Sequence, residues 1–154
     1  HYAVSNAVTR QDLLNDLEFE LKALLALDAS ARDTTLLIAP DAFPEFLDFT
    51  DFLRACDKCL RKIDLVGVIQ IASFHPQFQF AGAGIDDVGN NTNRAPYPVL
   101  HLLREASIDK AVEAFPDAEL IYEKNIATLQ ALGRDGWTAL RVGCPVAGQG
   151  KIDL

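Results

Sequence analysis

"LVGVIQIASF", residues 65–74, is an almost continuous apolar run rich in β-branched residues. Such a run is expected of a strand covered on both faces. Two other segments read as strands. "HYAVSN", 1–6, alternates, and "TTLLIAP", 34–40, is stopped by Pro40. Helical patterns lie between them. Leu13, Leu14, Leu17, Leu21, Leu24 and Leu25 mark one face, and Thr9 with Asp12 three residues on resembles a capping box. Phe49, Phe52, Leu53, Cys56, Leu60 and Ile63 space a second amphipathic helix.

The chain beyond residue 74 is harder to pattern. A loop of about 20 residues runs from His75 to Tyr97, a length that in compact domains usually accompanies function or disorder. Phe78, Phe80 and Tyr97 argue against disorder. Pro98 suits the first turn of a third helix, with Val99, Leu100, Leu102 and Leu103 inward. That helix bends near Ser107 into a segment with Ile108, Ala111, Val112 and Phe115. Asp117 caps a last helix carrying Ile121, Tyr122, Ile126, Leu129 and Leu132, and Gly133 is its C-cap. "WTALRV", 137–142, reads as a final strand. The order predicts an α/β fold: a single layered domain, 1–142, with a central mixed or mostly parallel sheet of about four strands and flanking helices. A loose C-terminal tail, 143–154, follows.

Composition narrows the function classes. The 154 residues carry a net charge of −8, which opposes binding to nucleic acid or anionic lipid. No apolar run reaches the roughly 20 residues that span a bilayer. The chain starts at His1 rather than Met, which reads as trimming, processing or a cut fragment; loss of a transit peptide would look like this, and so would a cut clone. Three cysteines, Cys56, Cys59 and Cys144, make no closed disulfide framework. They fit an intracellular, reducing compartment, the cytoplasm or an organelle. Cys56-x-x-Cys59 sits in mid-helix, away from the N-terminal position that activates redox thiols.

Ligands of open α/β sheets bind at the carboxyl ends of strands, where "FHPQFQF" places His75. The plainer account of His75 is a ring that satisfies a loop carbonyl. In "GAGIDDVGNNTNR", glycines with Asp86, Asp87, Asn90, Asn91, Thr92 and Asn93 are turn formers. Arg94 is not, and its donor fork suits a carboxylate or phosphate. "YPVLHLLRE" sets His101 and Glu105 four apart on one helical face, with Arg104 beside them. This is either a solvated edge with an ordinary ion pair or a face closing over His75.

The motifs "TLLIAP", "VIQIASFHPQFQFAG", "DDVGNNTNRAPYPVLHLLREASIDKAV" and "IYEKNIATLQALG" are similar to the bacterial and algal family called domain of unknown function 1415. The resemblance runs from about Tyr2 to Leu140. Ala95 stands where the family usually has serine. Family members usually carry a further N-terminal segment with a Cys-Pro-Phe motif, which would precede His1; Cys144-Pro145 is not its counterpart. The resemblance implies no activity, since the family's function is unassigned.

Two functions follow as expectations. The first is an enzyme, a hydrolase or transferase, acting on a small anionic molecule in a pocket formed by residues 75–105. His75, His101 and Glu105 would be catalytic. Arg94, Arg104, Asn90, Asn93 and Tyr97 would bind substrate. A divalent metal is an option, with His75, His101, Asp87 and Glu105 as ligands. No dinucleotide or flavin fingerprint is present. The second is a non-catalytic accessory or binding subunit with a protein partner. An enzyme requires His75, Arg94, His101 and Glu105 to converge in one pocket. An accessory subunit would hold them separately in loop hydrogen bonds and expose an apolar patch elsewhere.

Overall fold

The computed structural model describes residues 1–114 and 120–142. Phe115, Asp117 and the 143–154 tail, with Cys144, lie outside the described residues. Four strands form one mixed sheet, β1 (Tyr2–Val4), β2 (Thr34–Ile38), β3 (Ile69–Phe74) and β4 (Val99–Arg104), in the order β1-β2-β4-β3. β1 is parallel to β2, while β4 is antiparallel to both β2 and β3. α1 (Arg10–Leu25) and α2 (Phe46–Lys62) connect the parallel strands. α3 (Glu105–Ala114) and α4 (Ile121–Ala139) follow β4, and a short 3-10 helix, Val88–Thr92, lies in the long loop.

The core sits between one face of the sheet and the pair α1 and α2. Leu13, Leu17, Leu21 and Leu24 of α1 meet Phe49, Phe52, Cys56 and Leu60 of α2. Leu37, Leu100, Leu102 and Ile69 supply the sheet side. Register fixes this face, because Leu37 pairs with Leu100, and Leu102 pairs with both Thr35 and Ile71. Thr9 caps α1, its hydroxyl oxygen accepting from Asp12 N–H at 3.2 Å.

Three expectations need correction. "VLHLLR" is the inner strand β4, not a helix. Its residues at i, i+1, i+3 and i+4 imitate a helical stripe, because a strand with two apolar faces produces the same spacing. β2 and β3 each provide a ladder partner, and that tertiary pairing decides the outcome. Accordingly β3, read as the covered strand, lies at the sheet edge and starts only at Ile69. Asp64 and Gly67 adopt positive φ, 55° and 78°, and Leu65 to Val68 form a turn instead. Finally, "WTALRV" is not a strand: α4 continues to Ala139 and ends in a turn. Gly133 does interrupt the helix as a C-cap would, with φ 67° at a kink inside α4.

Candidate functional site

β1, β2 and β3 all point their carboxyl ends the same way, since β4 opposes both of its neighbours. Besides one of about 300 Å³ lined by Arg10, Ala42, Phe43, Pro44, Asp48 and Asp51, two depressions open on that edge. One, of about 440 Å³, lies beyond β1 and carries Asp12, Asp16 and Glu20 of α1. Its carboxylates already have donors: Ser5 Oγ to Asp16 at 2.5 Å, Thr9 Oγ1 to Asp12 at 2.5 Å, and Arg32 to Glu20 at 3.3 Å. The other, of about 380 Å³, lies beyond β2 and β3 and before β4. Pro40, Pro44, Pro76, Pro96 and Pro98 form much of its wall, with Asp41, Phe43, His75 and Tyr97 among them.

His75 follows β3 directly and is fully buried. Its Nδ1 accepts from Gln77 N–H at 3.0 Å, so Nε2 carries the hydrogen and donates to Phe43 O at 2.9 Å. The ring also packs on Phe49 at 5.2 Å and Phe46 at 5.4 Å. Both nitrogens are therefore engaged. Phe43, whose carbonyl takes one of these bonds, has φ 52°, an outlying conformation for so bulky a residue.

The long loop is fastened by its own polar side chains. Asn90 is fully buried; its Oδ1 accepts from Phe80 N–H at 3.0 Å and its Nδ2 donates to Gly84 O at 2.9 Å. An Asn90-Asn91-Thr92 sequon thus has its acceptor amide enclosed. Arg94 Nε donates to Phe78 O at 3.0 Å, and its NH2 group donates to Ile85 O at 2.8 Å. Asn93 Nδ2 donates to Ser73 O at 3.3 Å, and Asp87 Oδ1 accepts from Gly89 N–H to cap the 3-10 helix. These residues hold the loop's main chain, because buried carbonyls and N–H groups in a loop lack ladder partners.

His101, Arg104 and Glu105 stand elsewhere. His101 lies on the sheet face opposite the core, paired in register with Leu36 and Ala72. Alternation continued from β3 puts His75 on the core face, so the two imidazoles sit on opposite sides of the sheet. Thr34 gives its hydroxyl hydrogen to Leu102 O at 2.7 Å and accepts from His101 Nε2 at 2.6 Å. Burial holds the His101 pKa below the usual imidazole value, and the N-terminal ammonium adds to this. Arg104 points to the core side and donates to Leu24 O and Leu27 O, each at 2.6 Å, and to Arg32 O at 3.2 Å, closing the end of α1. Glu105 opens α3 at the end of β4 farthest from the cleft, so no helical His101–Glu105 pair exists. Among the described residues, no three His, Cys, Asp or Glu side chains gather where they could hold a metal ion. Burial, first of all, pushes the Cys56 thiol up to about 12 and raises Cys59 as well, consistent with packing rather than redox reactivity.

Of the predicted site residues, the 380 Å³ cleft gathers His75 and Tyr97. The loop fastening gathers Asn90 and Arg94. Asp41 and Phe43 were missed by sequence reasoning. The signal was present in "APDAFPE" after β2, since the carboxyl-end rule that selected His75 applies equally there.

A family model described as "Protein of unknown function (DUF1415)" matches residues 1–139. No curated protein matches the chain, and no solved structure does.

Proposed function

The chain belongs to the DUF1415 family, and from that premise we propose that it is a non-catalytic accessory or binding module, with the 75–105 segment as a rigid scaffold. One observation carries this reading. His75, Arg94 and Arg104 are engaged separately by main-chain atoms, and His101 by Thr34 on the other face of the sheet. An anion clamp needs guanidinium N–H groups free to face the ligand. Arg94 and Arg104 instead hold carbonyls of this chain. Tyr2 and Val4, exposed on the edge strand β1, agree with a module that has a partner. An intracellular, reducing compartment goes with this reading, supported by the buried thiols of Cys56 and Cys59. No described helix is long and apolar enough to cross a membrane.

A second reading keeps the enzyme, a hydrolase or transferase for a small anionic molecule. It is favoured by the 380 Å³ cleft at the carboxyl edge, which His75 borders. The two readings part in a thermal-stabilisation screen of phosphates, carboxylates, nucleotides and divalent metals, run with a metal analysis. The scaffold reading expects Arg94→Ala and His75→Ala to lower the melting temperature without removing any ligand response. An anion that stabilises the parent protein, and fails to stabilise a folded Arg94→Ala variant, would replace it with the enzyme reading.

A further inference from the structure

We propose that the proline-walled cleft beyond β2 and β3 binds a small organic cation, a primary ammonium or guanidinium on an apolar body. This rests on the binding-module reading and names the ligand class of that module.

Charge points to a cation. Asp41 is the one ionisable acid on the cleft wall, and no lysine or arginine lines it. Among the described residues Asp41 makes no ion pair, while the 440 Å³ depression has its carboxylates matched. The net charge of −8 adds a field of the same sign.

The wall chemistry agrees. Half of its ten residues are prolines, which have a carbonyl acceptor and no N–H. The N–H of His75 is already given to Phe43 O. The five prolines can offer an entering anion no N–H, whereas an ammonium would bring its own donors to the Asp41 carboxylate. Tyr97 is 47% exposed and adds an aromatic ring to the same cleft, which favours a cation further.

The shape is fixed in advance. Each proline locks its φ, and the loop that holds Asp41 is pinned through Phe43. That residue is kept at φ 52° by the His75 bond and by stacking on Phe52 at 4.6 Å. A strained residue held this firmly is a mark of a preorganised site. Preorganisation lowers the ordering cost of binding.

The test is an NMR titration of the full chain with three probes of one shape: benzylamine, benzyl alcohol and benzoate. Benzylamine is expected to shift residues 39–44, His75 and Tyr97, and to bind about fivefold tighter than benzyl alcohol. Benzoate is expected to leave them unmoved. Asp41→Asn, at an exposed position that leaves the core intact, should reduce benzylamine to the affinity of benzyl alcohol, and Asp41→Glu should restore part of the difference. Benzoate binding as well as benzylamine, an unchanged preference in Asp41→Asn, or no cleft shifts with any probe would each overturn the proposal. Failure of the non-catalytic reading looks different: benzylamine would still bind in the cleft, while in the thermal-stabilisation screen an anion would stabilise the parent and fail to stabilise a folded Arg94→Ala variant.

Discussion

At the scale of single residues, Arg104 shows how a side chain that suggests chemistry can serve architecture. Its fork closes the end of α1 by reaching the carbonyls of Leu24, Leu27 and Arg32, three groups a helix terminus and its following loop leave without partners. Arg104→Ala is expected to cost about 2–4 kcal/mol in urea unfolding, because charge-assisted bonds are lost and carbonyls are left bare. Arg104→Lys should recover less than half, since a point charge cannot span three acceptors. Full recovery by lysine would mean that charge, not the fork, holds this corner. His101 gives a pH signature. Its folded pKa lies below the ordinary imidazole value of 6.5, so between the two the unfolded chain binds more protons. Its contribution is therefore present above pH 6.5 and is lost as pH falls toward the folded pKa. Melting temperatures from pH 7.5 to 5 should fall less steeply in His101→Asn than in the parent. Equal slopes would remove His101 as the cause.

At the scale of elements, legibility follows how local the deciding interactions are. α1 and α2 were readable because their leucine and phenylalanine spacings reflect burial on one side, and Thr9 marks a start by its own geometry. β4 was not, because Val99 to Leu103 has apolar residues on both faces and is made a strand by β2 and β3, which lie far away in sequence. β3 failed for the complementary reason. Its apolar richness suggested enclosure, but edge or centre is a property of topology that no single strand encodes. The candidate site was half legible. The carboxyl-edge rule located His75, while the direction of its ring, toward Phe43 and α2, depends on packing. The loop's Asn and Arg residues were visible as unusual, yet the carbonyls they satisfy belong to a fold not drawn in the sequence. One element boundary is open to measurement. Gly67 has φ 78° where β3 begins, and nothing would obstruct a Cβ there. Gly67→Ala should therefore cost about 1–2 kcal/mol through backbone strain alone. A loss under about 0.3 kcal/mol would show that the turn relaxes at little cost.

At the scale of the whole molecule, the sheet has helices on one side and a second apolar face on the other. Tyr2, Val4, Leu36, Ile38, Phe74 and Leu103 share that face by register, and all stay at least partly exposed. No described residue of α3 or α4 is buried, so neither helix gains a core of its own. Val99 on that face is buried and its neighbours are partly covered, but the continuous cluster, from Leu13 to Leu102, lies on the opposite face. The asymmetry has a direct consequence. Leu36 and Leu37 are neighbours in one strand, yet Leu37 is buried in the cluster and Leu36 is not. Leu37→Ala should cost about 2–5 kcal/mol by emptying part of the core. Leu36→Lys, a harsher change chemically, should cost under about 1 kcal/mol in the isolated chain, because the long stem can lie along the sheet while its ammonium stays in water. Urea unfolding of both variants at low protein concentration separates the two faces. A Leu36→Lys cost as large as that of Leu37→Ala would mean that the second face is covered in solution and that the sheet is enclosed on both sides after all.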